Sequence, residues 1–226
     1  MGVRIQRLQK DKPWDYAFRE WIAKAQAAGL DPNDVGDQEW SDDPLREALV
    51  LHYLPNLRPD SVVLELGPGT GRLTRHVISK CAEIVLVDYS KLACEWLAGY
   101  LEGRGKFRII QIDKPALPEV AHRSIDAIFA NGVFEHIDLD DLYCFLEEFH
   151  RVLKPGGVVA FNFDNIMTDE GLAHFRCFRR APGERNLFRF YHPETVSWLC
   201  RSAGFKMLRM TTPRSRFSFI ELQKPL

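Results

Sequence analysis

From Ser61 onward the sequence alternates short, wholly apolar runs with segments of helical period, and few folds accommodate that alternation. The strand candidates are Val62–Leu66, Ile84–Val87, Phe107–Ile112, Ile125–Ala130 and Val158–Phe163. Strands that are apolar throughout are covered on both faces. Between them lie amphipathic stretches such as Leu142, Phe145, Leu146, Phe149, Val152 and Leu153. Strands joined by helical crossovers run parallel, so the pattern predicts a doubly wound α/β domain. Two further candidates, Phe205–Met210 and Phe217–Leu222, are separated only by TTPRSR. That link is too short for a helical crossover, and the last pair is therefore expected to be antiparallel. The expectation is a seven-stranded, mostly parallel sheet with an antiparallel last strand.

Upstream, Trp14, Phe18, Trp21, Ile22 and Ala25 share one helical face and predict a helix from Pro13 to Ala28. Pro13 suits the first turn and Gly29 the position past the end. The aromatic face is read as the packing surface of this helix. From Asp31 to Glu47 seven acids and one arginine give a local charge of −6, read as solvated surface. A second helix is expected to start near Pro44, capped by Ser41 or Asp42, with Leu45, Leu49 and Leu54 along it. The chain thus divides into a helical extension or lid, residues 1–58, and a main domain, 59–226. An insert at 164–192 is long for a βα connection, where about 2–6 residues are usual. Gly171–His192 holds five arginines and one acid, a net of +4, together with Phe175, Phe178, Phe188, Phe190 and Tyr191.

The 226 residues include 30 Lys plus Arg and 31 Asp plus Glu. A net charge of −1 gives no general attraction to nucleic acid or an anionic membrane. No apolar run approaches the ~18 residues of a membrane span, and the first residues lack a signal-peptide core. Five scattered cysteines without CxxC spacing indicate neither a disulfide framework nor a zinc site. A soluble protein of a reducing, cytoplasmic compartment is expected.

Ligands of doubly wound sheets bind at the carboxyl ends of the strands. The first strand ends in Glu65-Leu66-Gly67-Pro68-Gly69-Thr70-Gly71-Arg72. Glycines there let backbone approach a ligand with no Cβ between. A P-loop would need Lys-Ser or Lys-Thr after Gly71, and a dinucleotide fingerprint would need glycine where Arg72 stands. The spacing is GxGxG, with an acid two residues before it. A carboxylate beside the loop disfavours a pyrophosphate and favours a cationic ligand. S-adenosylmethionine, with its ammonium and sulfonium, has that character. Asp88, 17 residues beyond Gly71, ends the second strand where ribose hydroxyls would lie, and Asp113 ends the third.

In that order the motifs resemble those of class I S-adenosylmethionine-dependent methyltransferases, over roughly residues 60–222. ELGPGTG is similar to the first family motif and LVDYS to the second. QIDKPALPEVAHRSIDAIFANGVFEHI is similar to the third and fourth, RVLKPGGVVAF and CRSAGFKML to later elements. The resemblance is to the small-molecule, ubiquinone-biosynthesis-like type. It implies that Gly67, Gly69 and Gly71 pack against the amino-acid part of the cofactor and that Glu65 helps hold its ammonium. It implies Asp88 on the ribose, Tyr89 against adenine, Asp113 and Lys114 at the adenine amine, and Asn131 and Gly132 along the methionine. Lys114 and Pro115 depart from the small or acidic residues common there. The family also inserts substrate-recognition elements where residues 164–192 stand, which implies acceptor contacts from Arg179, Arg180 and Tyr191.

His136, after Glu135 at the end of the fourth strand, is the candidate catalytic residue. An imidazole there is able to take the proton of a hydroxyl nucleophile. The other reading is that Glu135 and His136 stabilise the loop. A metal would need a third ligand, and none is evident. Asn131-Gly132-Val133-Phe134 replaces the Asn-Pro-Pro-aromatic run of enzymes that methylate base amines, and no Pro-Cys pair marks a cytosine enzyme. The expected activity is methyl transfer to a small-molecule acceptor, with a hydroxyl oxygen ahead of nitrogen or carbon. A non-catalytic cofactor-binding protein is the alternative. The sequence does not set the oligomeric state.

Overall fold

The computed structural model describes residues 13–34, 49–180, 188–212 and 216–226. Seven strands form one sheet: β1 (Val62–Leu66), β2 (Glu83–Asp88), β3 (Phe107–Gln111), β4 (Ile125–Ala130), β5 (Leu153–Asp164), β6 (Lys206–Thr211) and β7 (Phe217–Gln223), in the order β3-β2-β1-β4-β5-β7-β6. The first five run parallel to one another, and β7 is antiparallel to both β5 and β6. The chain leaves β1 in one direction for β2 and β3, then returns to its other side at β4. That reversal is the switch point of a doubly wound sheet, where a crevice opens.

The helices are α1 (Pro13–Ala27), α2 (Thr74–Val77), α3 (Lys91–Tyr100), α4 (Leu139–Val152), α5 (Asp169–Arg180) and α6 (Pro193–Ser202). On one face of the sheet, Leu142, Phe145, Leu146, Phe149 and Val152 of α4 pack on Leu64, Val85, Ile128 and Phe161. Each such side chain stabilises the fold by about 1.5–3 kcal/mol through burial. On the other face Leu97 and Leu101 meet Val63, Ile84, Leu86 and Phe129.

Three expectations need correction or bounding. The β3–β4 connection is not helical: Pro115 and Pro118 interrupt any helix, and the segment is pinned from α4. There Arg151 donates to the Leu117 and Val120 carbonyls at 2.7 and 3.0 Å, and Glu148 accepts from Leu117 N. β5 starts at Leu153, five residues before the apolar run, because a register irregularity against Ile125–Ala127 absorbs Pro155 and two glycines. Most of the helix expected near Pro44 lies outside the described residues. Its described end is a wide helical turn at Leu49–Tyr53 running into a tighter one at Leu54–Asn56.

Candidate cofactor and acceptor site

A cavity opens at the carboxyl ends of β1, β2 and β4. Gly67, Gly69, Asp88, Tyr89, Gly132 and His136 line it. Its opposite wall is Trp14, Phe18 and Trp21. The aromatic face of α1, expected only to pack, thus serves as the roof of the cavity. α1 is held there by Asp15, whose carboxylate accepts from Ser90 Oγ at 2.7 Å and from Leu92 N at 3.2 Å. The bond reaches the first turn of α3, where Ser90 also caps Ala93 N. Nothing in the local sequence announces the pairing of Asp15 with Ser90, 75 positions away.

Asp88 is nearly buried, at 9% exposure. Its Oδ1 accepts from Ser90 N at 2.8 Å and its Oδ2 from Gly69 N at 3.2 Å. One carboxylate therefore fixes both the glycine loop and the start of α3. Burial pushes it up to about 6, against the opposing pull of those N–H donors. Only the ionised form accepts from two ribose hydroxyls. Protonation at low pH therefore competes with a ribose ligand. S-adenosylhomocysteine affinity should be flat above pH 7 and fall about tenfold per pH unit below 6, by calorimetry. An affinity flat to pH 5 would separate Asp88 from the ligand.

Gly67 has φ +66°, and a Cβ on it would stand 2.5 Å from Val133 Cγ2. The glycine thus permits both the turn and close approach to the β4 loop. Gly67→Ala should cost about 2–4 kcal/mol, from the left-handed backbone and the overpacking together. The double variant with Val133→Ala should recover the packing part, measured as the denaturant midpoint. Gly71 faces Leu97 and Tyr100, and a Cβ on it would stand 3.1 Å from each, so its smallness serves helix packing and not the cavity.

Glu65 does not line the cavity. It is buried below the loop, accepts from Thr74 Oγ1 at 2.7 Å, and burial pushes it up to about 8. Asn131 Oδ1 accepts from the Tyr53 hydroxyl at 3.1 Å. Asp113 and Lys114 are exposed beside Tyr89 and also stand off the cavity wall. The Tyr191 ring is buried against Phe163, and its hydroxyl donates to the Ile137 carbonyl. Arg179 and Arg180 end α5, and their side chains lie outside the described residues.

His136 stands between two aromatic rings, Trp14 at 4.8 Å and Phe188 at 5.0 Å, so extension and insert both meet it. Its Nε2 is 4.0 Å from Glu135 Oε1. Among the described residues no group of three or more His, Cys, Asp or Glu is placed to hold a metal ion, and no helix is long and apolar enough to cross a membrane.

The family described as methyltransferase domain matches residues 64–161. Carboxy-S-adenosyl-L-methionine synthase of Vibrio cholerae is 23% identical over 118 residues, 50% of this chain and 48% of that protein. Malonyl-acyl-carrier-protein O-methyltransferase 1 of Coxiella burnetii is 28% identical over 152 residues, 67% of this chain and 49% of that one. Ribosomal RNA small subunit methyltransferase A of a Synechococcus strain is 32% identical over 84 residues, 36% of this chain and 30% of that one. The chain spans half or less of the length of these relatives. Among solved structures, a SAM-dependent methyltransferase of Aquifex aeolicus superposes with a TM-score of 0.61 at 18% identity, covering 82% of this chain and 95% of that one. The 4+2 cyclase SpnF superposes at 0.62 and 18%, covering 81% and 79%. The fold is the Rossmann-like methyltransferase fold. Residues 64–161 match a methyltransferase domain.

Proposed function

We propose that this protein transfers a methyl group from S-adenosylmethionine to a hydroxyl oxygen of a small molecule. The observation that carries the reading is the cavity itself, which Gly67, Gly69, Asp88, Tyr89 and His136 line together with Trp14, Phe18 and Trp21. No phosphate-binding lysine follows the loop, and the Asp88 carboxylate on the cavity wall favours a cationic ligand over a phosphate. Tyr89 would lie against adenine and Asp88 would accept from the ribose. Gly132 would border the methionine, with Asn131 behind it. Glu65, Gly71, Asp113 and Lys114 would support these contacts from outside the cavity. When bound, the cofactor supplies an activated methyl group.

The protein's part is alignment and exclusion of water, and both are served by the Trp14–Phe18–Trp21 roof. His136 would receive the acceptor's proton at a ring nitrogen. The insert, with Arg179, Arg180 and Tyr191, would form the acceptor-side wall. A small acceptor also fits the near-neutral charge and the absence of the Asn-Pro-Pro run after β4. The activity named for the Coxiella relative is likewise an O-methyl transfer, although the matched part is half of that protein. Calorimetry tests the cofactor directly: S-adenosylmethionine and S-adenosylhomocysteine should bind at micromolar levels, and NAD and ATP should not. Tighter binding of NAD would end the reading.

A further inference from the structure

Beside His136, one residue behind the cavity wall, lies a polar cluster that the cofactor contacts do not use. Glu135 sits in the turn after β4, and Asn162 and Asp164 stand two residues apart on one face of β5, which packs against that turn. All three are buried, at 2%, 0% and 0% exposure. Each keeps one polar atom without a hydrogen-bond partner among the described residues: Glu135 Oε2, Asn162 Nδ2 and Asp164 Oδ1. Such orphaned atoms are costly and rare in native interiors, and a group of them calls for a ligand or water.

The rest of the cluster is well anchored. Asn162 Oδ1 accepts from Gly132 N at 2.8 Å, which ties it to the cavity wall. Arg216 places Nη2 3.7 Å from Glu135 Oε1 and Nε 3.3 Å from Asp164 Oδ1, and His174 Nδ1 is 3.1 Å from Asp164 Oδ2. Both carboxylates thus share a guanidinium brought by the start of β7, and the insert helix α5 closes the group through His174.

We propose that this cluster is the seat for a second, uncharged hydroxyl of the acceptor, adjacent to the oxygen that is methylated. The argument is donor and acceptor matching. A hydroxyl donates once and accepts twice. It accepts from Asn162 Nδ2 and donates to a carboxylate oxygen. An ammonium only donates and leaves Asn162 Nδ2 orphaned, and a carboxylate has no proton to give to the two carboxyl groups it would meet. Burial, and then the charge of Asp164, pushes Glu135 up. The protonated carboxyl that this favours is a second donor to the hydroxyl, beside Asn162 Nδ2. With both lone pairs engaged, that oxygen is a poor nucleophile, so the methylated oxygen is its neighbour on the side of His136. The acceptor class is a vicinal diol.

The seat rests on the methyltransferase reading, and the test separates the two. Full-length protein loaded with S-adenosylhomocysteine is titrated with cyclohexane-1,2-diol, cyclohexanol and 2-aminocyclohexanol, and binding is followed by ligand-observed NMR. The diol should bind at least tenfold more tightly than the other two. Asn162→Asp keeps the oxygen that holds Gly132 and replaces the orphaned donor by an acceptor, so it should reverse the order of diol and amino alcohol. Glu135→Ala, which removes the carboxyl donor, should flatten the diol preference and serves if the first variant is unstable. Preference for the amino alcohol by the native protein, or no binding of any of the three to the loaded protein, would overturn the seat alone. So would an order unchanged in both variants. Failure of S-adenosylhomocysteine to bind would overturn the methyltransferase reading and the seat with it.

Discussion

His136→Ala should lower turnover by about 10²–10⁴-fold, the usual worth of a positioned general base. Cofactor affinity should be unchanged, because on the proposed reading the imidazole, between Trp14 and Phe188, would face the acceptor and not the adenosine. The pH profile gives an independent check. At saturating cofactor, the rate should fall as pH drops and the imidazole takes up a proton, and the variant should lose that limb. The saturating condition matters, because Asp88, pushed up to about 6 by burial, would act on cofactor binding. A variant with native turnover and an unaltered profile would leave His136 as a structural member of the loop, tied to the two aromatic elements it touches.

Asp88→Ala should weaken S-adenosylmethionine binding at least tenfold. A charge-assisted hydrogen bond is worth about 1.5–3 kcal/mol, and two ribose hydroxyls would be lost. Asp88 also holds Gly69 N and Ser90 N, so part of the loss would come from the loop itself. Asp88→Asn keeps an acceptor for one of those donors and separates the parts. It should retain the unfolding midpoint better than alanine while still losing the charge that ribose recognition needs. A dissociation constant unchanged in both variants would remove Asp88 from the cofactor site.

The strands were legible because their signal is local. Val62–Leu66 and Ile125–Ala130 coincide with β1 and β4 to the residue, and the remaining strands differ only at their ends except β5. The antiparallel end of the sheet followed from the shortness of one link. At β5 the prolines and glycines of Lys154–Gly157 read as loop, since the bulge that accommodates them exists only against β4. The β3–β4 link shows the opposite failure. Its place in the alternation implied a crossover helix, but its prolines and its pins from α4 decide its form.

The sequence by itself determined the fold class, the order of the motifs and the position of the glycine loop, because each depends on residues near in the chain. The tertiary structure alone decided what surrounds that loop. It turned Trp14, Phe18 and Trp21 into a cavity wall, and it faced Gly71 toward a helix and Glu65 toward Thr74. It engaged the Tyr191 hydroxyl with the Ile137 carbonyl. It also brought Arg216 to Glu135 and Asp164 across separations of 81 and 52 residues. Pairings at that distance leave no period in the sequence. Which charges meet, and which buried atoms remain without a partner, is set only when the sheet order places the ends of β4, β5 and β7 side by side.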